Sequence, residues 1–377
     1  MHTNKTFYFN FHDLVAVEVK ADRSEDLNFF AAEYHHHQTD KSLAGLPRVT
    51  LRFRRLPGLP DGYTFHQHKL LARWGYRIEL SDERIEFDVI GNRLAVPMIH
   101  HMLLHPSLRY LSARGGVLML HSGSVSYQGR SLIFTGYGGM GKTTTTSLLL
   151  AAGGAGWSPH GDDYIFLGPG PRSLAYMTRS HLYSDLLRWV PEVAGRLTLT
   201  ERAHLEFFSS IRRWSGDRIK WALRLPMERL WPGRDLEKCA EPAAVIILKR
   251  GHSTQRPGLQ PLAENELPLD ELIAMNFSEA RHFLNLLEKR QAIADHSTWL
   301  QGWQEHERRL LQARLQEIPV YRLELPGKIR SHASFRSMLV AELTALLTRE
   351  DFKAVVSGPA GSHGAASGKP QTSDLEE

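Results

Sequence analysis

With 377 residues, the chain is long enough for two domains, or for one large domain with additions. Apolar residues make up 42% and charged residues 23% of it, an ordinary composition for a globular protein. The formal net charge of +5 arises from 46 basic and 41 acidic residues, so a nucleic-acid partner is not expected. The single cysteine, Cys239, excludes an internal disulfide and a cysteine-built zinc site.

The N-terminal segment MHTNKTFYFNFHD has neither the basic start nor the apolar centre of a signal peptide. No apolar run approaches the roughly 20 residues that a membrane helix needs. We therefore expect a cytoplasmic protein without a membrane partner.

The first part of the chain, residues 1–93, is predicted to be a small, mainly β domain. Its runs of β-branched and aromatic residues cover 7–11, 14–19, 48–53 and 63–67, followed by a hairpin over 76–91. Apolar residues then recur at helical spacing, interrupted by Pro97 and Pro106, before Gly115-Gly116. This pattern predicts a linker helix within residues 94–116.

Residues 117–350 are predicted to form an α/β catalytic domain, because strand, loop, helix and strand follow one another. The predicted strands cover 117–121, 124–129, 131–136, 162–168, 243–250 and 320–325. The predicted helices follow the glycine loop and cover 180–197, 201–214, 269–296 and 334–347. Residues 351–377 are small and polar and are predicted to be a disordered tail.

The segment GYGGMGKT, residues 136–143, matches the pattern G-x-x-x-x-G-K-[ST] in full and lies between a predicted strand and a predicted helix. Glycines in such a loop allow successive N–H groups to point at phosphate oxygens, and the following helix adds its positive end. Lys142 would reach the β- and γ-phosphates, and the Thr143 hydroxyl would bind Mg²⁺. The alternative is a glycine-rich turn that binds nothing.

The cofactors implied by this loop are ATP and Mg²⁺. We expect Thr144, Thr145 and Thr146 mainly to pack or cap the helix, since threonine is a poor helix former. The predicted nucleotide-binding residues are Gly136, Gly138, Gly139, Met140, Gly141, Lys142, Thr143 and Thr144.

A pair of carboxylates, Asp162 and Asp163, begins the strand after the predicted helix. Transfer of a phosphoryl group to a hydroxyl needs a carboxylate on the metal side and benefits from a base that accepts the hydroxyl proton. Neighbouring side chains on a strand point in different directions, so the pair can serve both purposes. The alternative is a solvated turn with a capping aspartate.

A doublet so close after the loop, with LHSGSV ahead of it, resembles the catalytic domain of the HPr kinase/phosphorylase family. Phosphoenolpyruvate carboxykinases, with a similar loop and a GDD segment, belong to the same wider group. The matching segment runs from His121 to Leu167, and the order of elements extends the likeness to about residue 345. The resemblance implies a P-loop HPr kinase/phosphoenolpyruvate carboxykinase-like core.

The same resemblance implies roles for individual residues. Asp162 corresponds to the base toward a serine hydroxyl, and Asp163 and Thr143 lie on the metal side. His121 corresponds to a histidine near the transferred phosphate, and Lys142 completes the catalytic set. In this chain Ser122 separates His121 from Gly123, and the family's later glycine-rich signature is missing. These differences argue for an acceptor other than HPr.

Two further groups of residues carry weaker signals. The stretch 212–225 interleaves basic residues with Trp214 and Trp221, and is either a clamp for phosphates or an ordinary solvated helix face. The histidines lack carboxylates or cysteines at ligand spacing, so surface positions are expected rather than a metal site. They are His35, His36, His37, His66, His68, His100, His101 and His105.

Two classes of function remain open from the sequence. The first is a kinase that passes the γ-phosphoryl group of Mg·ATP to a hydroxyl of a protein, a peptide or a small molecule. The second is a nucleotide-dependent binding module, in which the loop controls a conformation and the β domain holds a partner. The aspartate pair favours the kinase, since a switch has little use for a base beside the γ-phosphate. A homo-oligomer is compatible with either class.

Overall fold

A computed structural model describes residues 5–40, 43, 45–55, 61–68, 71–152, 154, 156–216, 221–251, 256–289, 293, 295–326 and 332–348. The predicted tail, 351–377, lies outside the described residues. The chain folds into a mixed α/β structure with two large sheets and helices packed against them. The predicted α/β class is therefore confirmed.

The N-terminal sheet has seven strands in the order β3-β1-β2-β4-β7-β6-β5. Helix α1 (Ser24–Glu33) lies in the connection from β2 to its parallel neighbour β4, and the sequence analysis missed this helix. The predicted hairpin is confirmed as the antiparallel pair β6–β7. The strands are β1 Lys5–Phe11, β2 Val15–Ala21, β3 Gln38–Thr39, β4 Arg48–Arg54, β5 Thr64–His68, β6 Ala72–Leu80 and β7 Arg84–Gly91.

A buried helical segment connects the two sheets. It consists of α2 (Val96–Ile99), one π-helical stretch (His100–Leu104) and α3 (His105–Arg114), so the predicted helix is present. It packs in one apolar core with residues of both sheets. The expectation of surface positions is wrong for His100 and His105, which are fully buried, because the segment is enclosed on several sides.

The second sheet is mixed and holds the predicted glycine loop. Its strands are β8 Leu118–Tyr127, β9 Arg130–Thr135, β10 Trp157–Gly161, β11 Tyr164–Leu167, β12 Ser173–Ala175, β15 Cys239–Gly251, β16 Gly258–Pro261 and β17 Val320–Pro326. A separate small sheet pairs β13 (Ser180–Leu182) with β14 (Leu223–Leu225). The two strands predicted within 117–129 form one strand, β8. One edge of β8 pairs first with β11 and then with β10, and its other edge pairs with β9.

The remaining helices differ from the prediction in two places. Residues 180–197 begin with β13 instead of a helix, and the helix predicted for 269–296 ends at Lys289. A second long helix, α10, follows and was not predicted. The helices are α4 Lys142–Ala152, α5 Ser184–Trp189, α6 Pro191–Ala194, α7 Leu199–Trp214, α8 Met227–Leu230, α9 Leu269–Lys289, α10 His296–Glu317 and α11 His332–Thr348.

Two apolar cores cover the two faces of the second sheet. One contains residues of the N-terminal sheet, α3, α9 and α10, and the other contains residues of α4, α5 and α11. Strands β9, β15 and β17 are parallel and central. The glycine loop leaves the carboxyl end of β9, which is the edge where open α/β sheets bind ligands.

Candidate functional site

The glycine loop, residues 136–143, adopts a backbone that only glycine accommodates easily. Gly136, Gly139 and Gly141 have φ values of 152°, 81° and 101°. A Cβ atom on Gly136 would lie 3.2 Å from the carbonyl oxygen of Leu248 on the neighbouring strand. The glycines therefore allow the chain to turn sharply at the end of the strand. Residues 137–139 are exposed to solvent.

Lys142, the first residue of α4, folds back over this loop. Its Nζ donates hydrogen bonds to the carbonyl oxygens of Gly136, at 2.6 Å, and Tyr137, at 3.4 Å. Burial lowers the pKa of Lys142 to about 8, although the negative charges of Asp163, Glu279 and Asp162 oppose this shift. The Lys142 amine is therefore a buried cation, and a charged ligand bound beside it would change its pKa.

Asp162 lies directly beside the loop. Thr143 Oγ1 donates a hydrogen bond of 2.9 Å to Asp162 Oδ1, which joins the two predicted residues. The second carboxylate oxygen accepts from Ser180 Oγ at 2.9 Å and from the backbone N–H of His181 at 3.3 Å. Burial, together with the charge of Asp163, raises the pKa of Asp162.

Asp163 has the opposite electrostatic environment. Its Oδ2 lies 3.1 Å from Nδ1 of His181, on β13. Burial opposes ionisation of Asp163, but its pairing with His181 and the nearby His105 and His101 together hold the Asp163 pKa well below its usual range. The same ion pair raises the pKa of His181 against the effect of burial. Adjacent carboxylates thus differ in their readiness to accept a proton.

His121, on β8, is brought to the same place by strand pairing. It pairs with Tyr164, and the backbone N–H of Ser122 donates to the carbonyl oxygen of Asp163 at 3.1 Å. Burial, and then the charge of Lys142, lowers the His121 pKa to about 3. His121 is therefore a neutral imidazole, and its buried Nδ1 has no hydrogen-bond partner among the described residues.

Close packing between β8 and α4 holds the loop against the carboxylates. A Cβ atom on Gly123 would lie 3.2 Å from Cγ2 of Thr146 and 3.6 Å from the carbonyl oxygen of Asp162. The Thr146 hydroxyl donates to the backbone of its own helix, at Thr143 O. Gly123 therefore lets the start of α4 approach the strand.

Two charged neighbours of the site were not predicted from the sequence. His181 follows the aspartates by many residues, and its Nε2 is buried without a hydrogen-bond partner in the described part of the chain. Glu279, on α9, interacts with Lys142 and Asp163, and burial raises its pKa. No spacing in the sequence indicated either residue, because each reaches the site only through packing of a distant element.

The basic stretch over 212–225 has partners away from the loop. Arg212 pairs with Asp185 at 3.1 Å, and Arg224 pairs with the buried Glu33 at 3.0 Å. Trp221 stacks on Phe208. Arg218 and Lys220 lie outside the described residues. These contacts favour the structural interpretation of the described part of this stretch.

The three consecutive histidines divide into two environments. His37 is buried, so its expected surface position is wrong: its Nε2 accepts the backbone N–H of Met177 at 3.1 Å, and its ring packs on Phe11. His35 is exposed and His36 is half-buried. The side chains of His66 and His68 lie outside the described part of the structure.

The structure thus brings Lys142, Thr143, Asp162, Asp163 and His121 together around the end of β9. Among the helices of the described residues, none has the length and apolar character needed to cross a membrane. No protein-family model matches the sequence, and a search of curated proteins finds no significant match.

Proposed function

We propose that this protein is an ATP-dependent phosphotransferase that moves the γ-phosphoryl group to a hydroxyl. The observation that carries the proposal is the contact between Thr143 Oγ1 and Asp162 Oδ1, 2.9 Å, at the end of the glycine loop. A hydroxyl and a carboxylate beside a glycine loop at the start of a helix are the parts that bind Mg²⁺ and nucleotide phosphates. The paired Asp163 and His181 add proton chemistry to this binding site.

The donor set fits a magnesium nucleotide. Thr143 and the two aspartates supply the hard oxygen ligands that Mg²⁺ requires, and Lys142 supplies a cation for the phosphates. Bound Mg²⁺ would neutralise negative charge on the phosphate oxygens. Lys142 Nζ is held at Gly136 O without a phosphate, so nucleotide binding requires the amine to exchange this carbonyl for phosphate oxygens.

The transfer step follows from the arrangement of these groups. An acceptor hydroxyl attacks the γ-phosphorus, its O–H proton passes to a carboxylate, the new P–O bond forms and the bond to the β–γ bridging oxygen breaks. ADP then leaves with the electrons of that bond. Lys142 stabilises the charge on the phosphate oxygens, and His121, being neutral, contributes a hydrogen bond instead of a charge.

The two aspartates have different roles in this proposal. Asp162, whose pKa is raised by burial, accepts the proton more readily, while Asp163 remains ionised beside His181 and serves the metal side. The hydrogen bond from Thr143 to Asp162 argues for the reverse assignment, because threonine and the metal-side carboxylate normally share the ion. The difference in pKa carries more weight, because proton transfer depends on it directly. Titration of the two aspartate variants with Mg²⁺ separates the two assignments.

A serine hydroxyl of a protein or peptide is the acceptor we propose, in keeping with the resemblance to HPr kinases. A small-molecule alcohol would use the same groups. A nucleotide-controlled binding module is the alternative from a different class, and the glycine loop alone would support it equally. Asp163 and His181 form an ion pair, and the buried Nε2 of His181 has no hydrogen-bond partner among the described residues. Both features favour the phosphotransferase.

The test is transfer of label from γ-labelled ATP to candidate serine peptides, proteins and alcohols, followed by mass spectrometry of the products. The parent protein should form a phosphomonoester in the presence of Mg²⁺, and Lys142→Ala should form much less at an ATP concentration that saturates only the parent. ATP binding without any transferred label, combined with a nucleotide-dependent change in partner affinity, would replace the kinase with the binding module.

A further inference from the structure

A second cluster of potential ligands lies away from the glycine loop, where the helical turn after α1 meets α8. It consists of His35, His36 and Glu228, and one ligand atom from each lies within 4.8 Å of the others. The histidines are neighbours in sequence, whereas Glu228 is 193 residues from His35. Tertiary packing therefore supplies the carboxylate that the sequence around the histidines lacks.

The geometry of the cluster is convergent. Nε2 of His35 lies 3.0 Å and Nε2 of His36 lies 2.7 Å from the same oxygen, Oε1 of Glu228. The two rings are in contact, with centroids 3.6 Å apart. A tetrahedral zinc ion with bonds of about 2.0–2.1 Å separates its ligand atoms by roughly 3.3 Å. Only small side-chain adjustments are needed to reach that spacing.

The nitrogen of His36 makes this cluster different from an ordinary surface ion pair. Its Nε2 is buried and, despite the short distance to Glu228, has no hydrogen-bonded partner in the described structure. The lone pair of an imidazole nitrogen at Nε2 would repel the carboxylate, whereas a cation between the two groups would attract both.

We propose that His35, His36 and Glu228 bind a Zn²⁺ ion. Two imidazoles and one carboxylate form a donor set that zinc accepts, with a fourth position left to water. Imidazole ligands favour Zn²⁺ over Mg²⁺, so this site is chemically distinct from the magnesium site proposed at the glycine loop. His37, the third histidine of the run, is excluded because its Nε2 is occupied by the Met177 N–H.

A metal ion here would join two distant parts of the chain. The end of α1 already contacts residues near β13 and β14. Glu33 pairs with Arg179 and Arg224, and the Tyr34 and Tyr176 hydroxyls lie 3.0 Å apart. A zinc ion bound by His35 and Glu228 would add a further link, between the turn after α1 and helix α8. Zinc should therefore stabilise the folded chain, since the unfolded chain does not hold the ligands together.

Calorimetric titration of the full, metal-stripped chain with ZnCl₂, without nucleotide, tests the proposal. We expect one tight site per chain, weakened at least about tenfold in His36→Ala and in Glu228→Gln, since even groups that only orient ligands contribute that much. His332→Ala and Glu206→Gln, which change exposed residues outside the cluster, serve as matched controls and should bind as the parent does.

Thermal unfolding provides the second measurement. ZnCl₂ should raise the midpoint of the parent and of both control variants, but not that of Glu228→Gln. His35→Ala alters an exposed side chain and provides a third site variant if His36→Ala does not fold. Equal zinc affinity in the parent and in folded site variants, or no zinc binding by the parent, would overturn the proposal.

Discussion

The glycine loop meets the carboxylate cluster, which consists of Asp162, Asp163, Ser180 and His181, through the hydrogen bond from Thr143 to Asp162, and the two regions are built differently. The loop presents backbone groups, and its tip is exposed. The carboxylate cluster consists of side chains that hold one another: Ser180 and the His181 N–H fix Asp162, and the His181 ring holds Asp163. The proposed function places nucleotide binding on an open backbone loop and proton transfer on a closed network of side chains.

The difference between the two regions predicts which substitutions should change ATP affinity and which should change the rate of phosphoryl transfer. In the proposed reaction, the loop and Lys142 would contact the phosphates in the ground state and in the transition state alike, so they should govern mainly affinity. A proton acceptor acts only as the new bond forms, so the carboxylate cluster should govern mainly rate. Substitutions in the two regions therefore test this distinction.

The largest effect is expected in the carboxylate cluster, from Asp162→Asn. This change preserves size but removes the proton acceptor, so single-turnover phosphoryl transfer should fall by about 10²- to 10⁴-fold, while ATP affinity stays within a few-fold. His121→Ala, on the neighbouring strand, should show a milder loss of turnover. If Asp162→Asn transfers phosphate at the parental rate, Asp162 is not the base.

The next largest effect is expected in the glycine loop, from Lys142→Ala. Loss of a charge-assisted contact worth about 1.5–3 kcal/mol should weaken ATP binding by roughly 10- to 150-fold in calorimetry. Lys20→Ala, on β2 of the N-terminal sheet, is the matched control and should leave the affinity unchanged. Parental affinity in a folded Lys142→Ala protein would remove the loop from nucleotide binding.

A smaller effect is expected from Asp163→Asn, which sharpens the division within the carboxylate cluster. If Asp163 serves the metal side, the Mg²⁺ concentration at half-maximal turnover should rise several-fold, because the variant loses one negatively charged ligand. The same titration on Asp162→Asn is the comparison. A shift in Asp162→Asn, with none in Asp163→Asn, would exchange the two roles as the contact between Thr143 and Asp162 suggests.

A separate effect is expected from pH. The Lys142 pKa of about 8 belongs to the nucleotide-free protein, and bound phosphates should raise it. Below pH 8 the amine is already charged, but above pH 8 binding must take up a proton, so ATP affinity should fall by up to about tenfold per pH unit. Calorimetry from pH 7 to pH 9.5 measures this slope. A parental slope in Lys142→Ala would assign the proton to another group.

Local segments were predictable because their contacts are local. The strand, glycine loop and helix from 131 to 152 follow from residues adjacent in sequence, as does the hairpin of β6 and β7. Within the candidate site, Lys142 reaches Gly136, only six residues away. Glycine conformations and helix starts depend on near neighbours, and a sequence pattern records them.

The surroundings of the site were decided by tertiary structure. His181 at Asp163, Glu279 near Lys142, and Glu228 at His35 come from separate elements, and hydrophobic periodicity reports which face of an element is buried but not which element covers it. The same limit explains why the burial of His100 and His105 was not predicted. The helical pattern of this segment is the same whether the helix is exposed or enclosed in the core. Residue type and spacing determined the glycine loop, whereas the pKa values of its neighbours depend on burial and on charges that only packing brings within range.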